Sequence, residues 1–273
     1  MTRKASTWEG ESLKALQQRW DRADVHLYSR VDSTNARALE LAAAGAPAGT
    51  IVLADEQTAG RGIESRRWHS PRGAGLYLSL LLRPRELANP LLVPLLAGLG
   101  AARAADELIG ASAVGVKWPN DLIAADRKAG GVLSEASWAG SEPNHLVIGI
   151  GVNVHGTARD FPPALRDVAI SLDTAAGRSI SRLELADLIV REVENRCVDP
   201  PVTLDRETLR EFDNHDWLRD RRCSVVSEDE EPRQGIAVGI APDGALLFRP
   251  DGGALARVTT GRVVVPELPT PDF

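Results

Sequence analysis

One stretch limits the folds open to this chain more than any other: Lys117 to Glu135, KWPNDLIAADRKAGGVLSE. The residues from Val114 to Trp118 predict a strand, because β-branched and aromatic side chains suit a pleated surface. Pro119 ends the ladder, since proline has no N–H to donate. Asn120 and Asp121 then place an amide and a carboxylate where the strand leaves its sheet. After a short arm, Ala125-Asp126-Arg127 reads as a turn, and Gly131 to Ser137 as a second strand. The expectation is a hairpin with Lys117 on one strand, Lys128 leading into the other, and polar groups between them. Gly130 and Gly131 carry no Cβ, so a ligand or another backbone can approach closely there. A buried hairpin whose two lysines merely extend apolar stems toward water fits these residues equally well.

Three further pieces narrow the choice. Asp32-Ser33-Thr34-Asn35 lies upstream. Gln57-Thr58-Ala59-Gly60-Arg61-Gly62 leads to Arg66-Arg67-Trp68-His69-Ser70-Pro71, and then to Gly75-Leu76-Tyr77-Leu78-Ser79. With the 117–135 stretch, these resemble the catalytic domain of the biotin protein ligases. The family pattern is an STN, a GRGRRGRxWxSPxGxxLYxS loop, a KWPND strand and an RK-x-x-G-[IV]-L-x-E strand. All four occur here in that order, and the resemblance covers roughly residues 25 to 266. Four separated motifs in one order are far more specific than one short glycine pattern.

The fold class implied is α+β. It joins a mixed-sheet catalytic domain of the biotin/lipoate ligase, class II synthetase-like type (residues 1–216) to a small SH3-like β-barrel (residues 217–273). The local patterns agree. Residues 1–8 read as a loose terminus, and Leu13, Leu16 and Trp20 mark one helix face. Val25 to Tyr28 reads as a strand, and Asp32-Ser33-Thr34 offers caps for a helix from Asn35 to Ala44. Thr50 to Ala54 and Leu76 to Leu82 read as strands. The segment between them, Ala59 to Gly73, lacks apolar periodicity and reads as a long functional loop. Pro90 to Ile109 predicts a buried helix and Leu146 to Val154 a strand. Ser181-Arg182-Leu183-Glu184 is a capping box for a helix to about Asn195. From Trp217 onward, Cys223 to Val226, Gly235 to Ile240, Ala245 to Phe248 and Arg257 to Val265 alternate with turn residues, the pattern of a small β-barrel.

Composition serves mainly to exclude. At 43% apolar and 26% charged, the chain has an ordinary globular balance. A net charge of −6 disfavours nonspecific binding to nucleic acid. Cys197 and Cys223 form neither a disulfide framework nor a metal-ligand spacing, so the expected setting is a reducing cytoplasm. The longest apolar run, near Leu91 to Ala105, is too weak for a membrane span. About 25 residues precede the catalytic motifs, too few for a winged helix-turn-helix, so no DNA partner is expected.

The resemblance also implies chemistry. Biotin's carboxylate attacks the α-phosphate of ATP, and a lysine of a biotin carboxyl carrier domain, of acetyl-CoA carboxylase or a relative, then attacks the mixed anhydride. Lys128, Arg61, Lys117 and Asp121 are implied as catalytic. Biotin would be held by Ser33, Thr34, Asn35, Gln57, Arg61, Gly62, Ile63, Lys128, Gly130 and Gly131. ATP would be held by Arg66, Arg67, Trp68, Lys117, Asn120 and Asn153, with Asn120 and Asn153 orienting Mg²⁺. The enzyme would be a monomer or homodimer. Two other readings stay open: a lipoate-type ligase, and an inactive biotin-binding protein. The chain also departs from the pattern. Ile63 and Glu64 replace two arginines of the loop, and Ser65 replaces a glycine. The first of those arginines helps the family retain biotinyl-adenylate, so a leaky intermediate is expected unless Arg66 or Arg67 compensates.

Overall fold

The structure is a computed structural model describing residues 2–227 and 231–266. Its first part contains β1 (Arg3–Lys4), β2 (Thr7–Trp8), β3 (Glu11–Ser12), α1 (Leu13–Arg19), β4 (Val25–Arg30), α2 (Thr34–Ala43), β5 (Thr50–Ala54), β6 (Gly75–Leu82) and α3 (Leu92–Ile109). Then follow β7 (Val114–Lys117), β8 (Asp121–Ala124), β9 (Arg127–Ala139), β10 (Glu142–Asn153), α4 (Leu172–Ala176), α5 (Arg182–Cys197) and α6 (Arg206–His215). The last part holds β11 (Arg222–Val226), β12 (Arg233–Ile240), β13 (Leu246–Pro250), β14 (Ala256–Val258) and β15 (Arg262–Val264).

Every residue of β5 and β6 is buried, because their sheet is covered on both faces. Side chains alternate along a strand. Accordingly Ile51, Leu53, Leu80 and Leu82 join the main core with α3 and α5, while Val52, Ala54 and Leu81 pack with Ala38 and Ala42 of α2. The eight strands run in the order β1-β4-β5-β6-β10-β9-β8-β7. The β4–β5 pair is parallel and the other pairs are antiparallel. Ser33 caps α2, accepting the Ala36 N–H, and Ser181 caps α5, accepting the Glu184 N–H.

The second sheet is antiparallel, in the order β14-β13-β12-β11-β15. Its two edge strands are β14, ending at Val258, and β15, starting at Arg262. A connection that short can join opposite edges only if the sheet curls round on itself, as the expected barrel requires. Trp118, just past β7, donates its indole N–H to the Gly244 carbonyl at 3.0 Å and ties the two sheets together. Gly244 sits over Leu92 and Leu95 of α3, where a Cβ would stand 2.8 Å from Leu92.

Three expectations need correction, and one helix had no expectation. Of the 1–8 stretch expected to be loose, Met1 lies outside the described residues and the rest is ordered: β1 pairs with β4, and β2 and β3 form a hairpin. The 114–137 region is not one hairpin but three strands, because Asp121–Ala124 forms β8 between β7 and β9. The apolar run Leu122-Ile123-Ala124 supplied that strand, and it was too short to stand out from an arm. Helix α6 was not foreseen. Arg257 to Val265 is two strands, broken at Thr259–Gly261, where Gly261 has φ 120°. Of the expected second domain, residues 228–230 and 267–273 lie outside the described residues. Among the described residues, no helix is long and apolar enough to cross a membrane.

Helix α6 is fastened to α3 at its last residue. His215 Nε2 lies 3.2 Å from Asp106 Oδ2, and Nδ1 lies 2.9 Å from the Glu211 carbonyl. The hydrogen bond to Asp106 raises the imidazole pKa above its usual 6.5, with burial opposing it. A raised native pKa gives stability that is fully present below 6.5 and lost as pH climbs through the native value. His215→Gln should therefore lower the urea midpoint clearly at pH 5.5 and much less at pH 9. An equal loss at both values would show that the His215–Asp106 charge pair is not stabilising.

Candidate active site

A cleft opens between the concave end of the large sheet and the edge of the small one, with about 1450 Å³ of empty space including its open mouth. It is lined by the start of α2, the 57–69 segment, the β7–β8–β9 region, the end of β10, residues 161–169, and Gly261–Val263.

At the inner end the polar groups are locked together. Thr34 donates its backbone N–H to Gln57 Oε1 at 2.8 Å, and its hydroxyl reaches the same atom at 3.1 Å. Gln57 Nε2 donates to Ser70 Oγ at 2.9 Å. Ser79 Oγ, fully buried on β6, lies 2.6 Å from Asn35 Oδ1 and 2.8 Å from Thr34 Oγ1. Asn35 Nδ2 donates to the Leu133 carbonyl at 3.1 Å and to Glu135 Oε2 at 2.9 Å. Gly149 on β10 makes room for this asparagine: a Cβ there would stand 1.9 Å from Asn35 Oδ1. The same Glu135 oxygen receives Arg61 Nη2 at 2.7 Å.

At the outer end positive charge gathers. Lys117, at the end of β7, is 4% exposed. Desolvation lowers its pKa, Asp121 opposes that fall, and Lys128, Arg66 and Arg262 add to it. Asp121 opens β8, with Lys128 Nζ at 2.5 Å and Lys117 Nζ at 3.8 Å. Burial pushes its carboxyl pKa up, but Lys128 and Lys117 outweigh that and hold it below the ordinary value. Lys128 also stands over the Trp68 ring, 5.5 Å from its centroid. Trp68 lies against Gly151, where a Cβ would meet its Nε1 at 2.6 Å, and this indole N–H is buried with no protein partner.

The long loop carries a short 3-10 turn, Ile63–Ser65. Ile63 lines the cleft. Glu64 has φ 53°, and its carboxylate takes Arg66 Nη2 at 2.7 Å. Arg66 lines the cleft, whereas Arg67, also at its wall, is exposed and donates to the Thr58 carbonyl at 3.2 Å.

Asn120 donates Nδ2 to the Val132 carbonyl at 2.7 Å, and Asn153 donates Nδ2 to the Lys128 carbonyl at 3.3 Å. Each thereby keeps its Oδ1, the atom a hard cation takes. Among the described residues, no group of three or more His, Cys, Asp and Glu could hold a metal ion. The oxygen donors on this wall are thus two neutral amides beside the Asp121 carboxylate.

Nearly all the residues foreseen for the site line this one cleft. Gly130 does not: its missing Cβ makes room for the Gly151 carbonyl (2.8 Å) and Leu122 (2.9 Å), so it serves strand packing. Gly131 does line the cleft. Sequence reading missed three contributions. His69 sits in the wall with its pKa lowered by burial. Phe161, Leu165, Val168 and Ala169 form an apolar side, held where Lys128 and Ala169 bridge in parallel. Arg262 comes from the second sheet. The first of these lay inside a quoted motif, but the other two had no local signal.

The fold and cleft define a small-molecule-binding domain that presents an apolar pocket with a few fixed polar atoms beside a cluster of cations. The model of the biotin/lipoate A/B protein ligase family matches residues 27–153. A biotin–[acetyl-CoA-carboxylase] ligase of Paracoccus denitrificans is 37% identical over 241 residues, covering 83% of this chain and 95% of that protein. The bifunctional ligase/repressor BirA of Bacillus subtilis is 41% identical over 170 residues, 62% of this chain and 52% of its own length. The chain thus spans about half the length of the first curated relatives it matches. A solved structure of the biotin protein ligase of Aquifex aeolicus, in complex with biotin and ATP, superposes with a TM-score of 0.73 at 28% identity, covering 88% of this chain and 97% of that one. This chain belongs to the biotin/lipoate A/B protein ligase family.

Gly149→Ala tests the inner end. The new methyl must displace Asn35 or bend β10, at a cost of about 1–3 kcal/mol as overpacking. The expected result is a lower urea midpoint and a loss of small-ligand binding measured by calorimetry. Wild-type stability in the variant would show that Asn35 is free to move.

Proposed function

We propose that this chain is an ATP-dependent biotin–protein ligase that forms biotinyl-5′-AMP and passes biotin to a lysine of a carboxylase's carrier domain. The observation that carries the reading is the meeting, in one cleft, of an apolar pocket ended by Thr34, Asn35 and Gln57 with the cations Lys117, Lys128, Arg66 and Arg262. The family's Aquifex aeolicus member, solved with biotin and ATP, supports it. We take residues 1–216 as the catalytic domain and 217–273 as the C-terminal one. The chain acts in the cytoplasm, as a monomer or homodimer, without a DNA partner.

The first step brings an anion to a polyanion. Biotin's carboxylate oxygen bonds to the α-phosphorus, and pyrophosphate leaves. Lys128 bridges the carboxylate and α-phosphate, while Lys117, Arg61 and Arg262 hold phosphate oxygens. Such preplaced charges act where charge develops and cost no rearrangement during reaction. Ser33, Thr34 and Gln57 share their hydrogen bonds with the ureido ring, and Trp68 covers the adenylate. Asn120 and Asn153 would hold Mg²⁺, which supplies charge neutralisation at the phosphates.

In the second step the carrier amine attacks the acyl carbon and AMP leaves. The amine must first lose a proton, since a free lysine is protonated near neutrality. Asp121 takes it. Two lysines hold Asp121 ionised, so it becomes a useful acceptor as Lys128 turns to the phosphate.

Incubation with biotin, ATP, Mg²⁺ and a carrier domain should raise the carrier's mass by one biotinyl group. Pyrophosphate exchange dependent on lipoate but not biotin would favour the lipoate-type reading. Biotin binding without AMP formation would favour an inactive binder. Lys128→Ala should cut adenylate formation by about a hundredfold or more while the fold survives, because an ammonium at the reacting oxygens matters most in the transition state. Near-normal adenylation by the variant would remove Lys128 from the mechanism.

The loop's departures affect retention. Ile63 offers no donor, and Glu64 holds Arg66 instead of leaving it free for a ligand. A lost charge-assisted contact is worth about 1.5–3 kcal/mol, or one to two decades in release rate. Ile63→Arg should therefore slow biotinyl-AMP release and reduce labelling of a bystander such as albumin. If Ile63→Arg changes neither and Arg66→Ala speeds release, Arg66 already supplies the contact.

A further inference from the structure

The most buried guanidinium off the cleft is Arg182, 5% exposed, in the first turn of α5. Its partners come from three separate parts of the chain. Nη1 donates to the Gly75 carbonyl at 3.1 Å, and Nη2 to Asp55 Oδ1 at 3.1 Å. Nε donates to Glu9 Oε1 at 3.0 Å, and Nη2 pairs with that same oxygen. The guanidinium also lies 5.4 Å from the centroid of the Trp8 ring.

Two of these partners are the roots of the long loop that walls the cleft. Asp55 follows β5 directly and Gly75 opens β6. The roots are already in contact, since the Gly73 N–H donates to the Asp55 carbonyl at 3.0 Å, and the Gln57 N–H donates to the Ser70 carbonyl at 3.1 Å. Arg182 grips both from behind. Its other two partners, Trp8 and Glu9, belong to the β2–β3 hairpin, whose tight turn is made by Glu9 (φ 50°) and Gly10 (φ 81°). Trp8 is 5% exposed, although it precedes the 27–153 region that the family model matches.

We propose that the β2–β3 hairpin is a strap that positions the ligand loop through Arg182, and that it thereby sets the affinity of the cleft for biotin. Glu9 compensates a charge that Asp55 and the Gly75 carbonyl alone would share, and a fully gripped Arg182 fixes the spacing of the loop's two roots. Arg182 and Glu9 are positioning residues, for neither lines the cleft. The affinity part rests on the ligase reading above, whereas the loop part does not.

Glu9→Gln is the principal variant, because it keeps size and removes only the charge. Arg182→Ala would leave Glu9 without its cation and Asp55 with Arg72 alone, and so risks wider unfolding. Hydrogen exchange of the ligand-free protein should quicken about tenfold in residues 57–74 of Glu9→Gln, the size expected for one weakened charge-assisted bond, with α3 and the second sheet unchanged. In pyrophosphate exchange the KM for biotin should rise about tenfold with kcat held within about twofold, the signature of lost uniform binding. Arg182→Lys, which keeps the charge but cannot reach three partners, should show the same pattern. Unchanged exchange in 57–74, quickening spread evenly over α3 and the second sheet, or an unchanged KM would each overturn the strap. If the wild-type protein makes no biotinyl-AMP, the ligase reading fails, and the exchange comparison alone decides the strap.

Discussion

Two ammonium groups share one carboxylate at the heart of this molecule. Lys128 touches Asp121 closely, and Lys117 stands on its other oxygen at 3.8 Å. Two like charges this near each other in a half-dry site repel strongly. Asp121, lying between them, offsets that repulsion. The strands are arranged to make this possible. Lys117 and Asp121 face each other across the β7–β8 pair, and Asp121 faces Gly131 across β8–β9, where no side chain blocks Lys128. A buried ion pair is seldom a gain in stability for its own sake, so three charges retained here point to a task for them.

Much of this was legible in the sequence. The strands β5 and β6 show as apolar runs, Ser33 and Ser181 announce their helices, and the motif residues converge on one cleft as their resemblance implied. Failures occurred where the controlling contact lies far away in the chain. Gly130 offered room to a ligand or to another backbone, and only the fold decides between them: the Gly151 carbonyl and Leu122 take it. Residues 2–9 have no periodicity of their own and gain order by adding to β4 and by closing over Arg182. β8 is four residues long, too brief for a periodic signal against its neighbours. Arg262 lies in a short edge strand whose position depends on the curl of a whole sheet.

The polar end of the pocket follows another logic. Thr34, Asn35, Gln57, Ser70 and Ser79 are hydrogen-bonded to one another. A closed network of this kind removes the penalty of unmatched buried polar atoms. It also fixes each donor and acceptor in space, so recognition rests on geometry set in advance. The indole N–H of Trp68 is the exception, buried without a protein partner at the cleft wall.

The arrival of Gly261–Val263 in the cleft has a kinetic consequence. Ser33 and Arg262 wall the same space yet lie near opposite ends of the described chain. Contacts between such distant segments form late and slowly, because loop closure must precede any reward. During synthesis the motif-bearing sheet leaves the ribosome well before the strand that completes its mouth. The pocket is therefore complete only where the second sheet meets the first, at the hydrogen bond from the Trp118 indole to the Gly244 carbonyl.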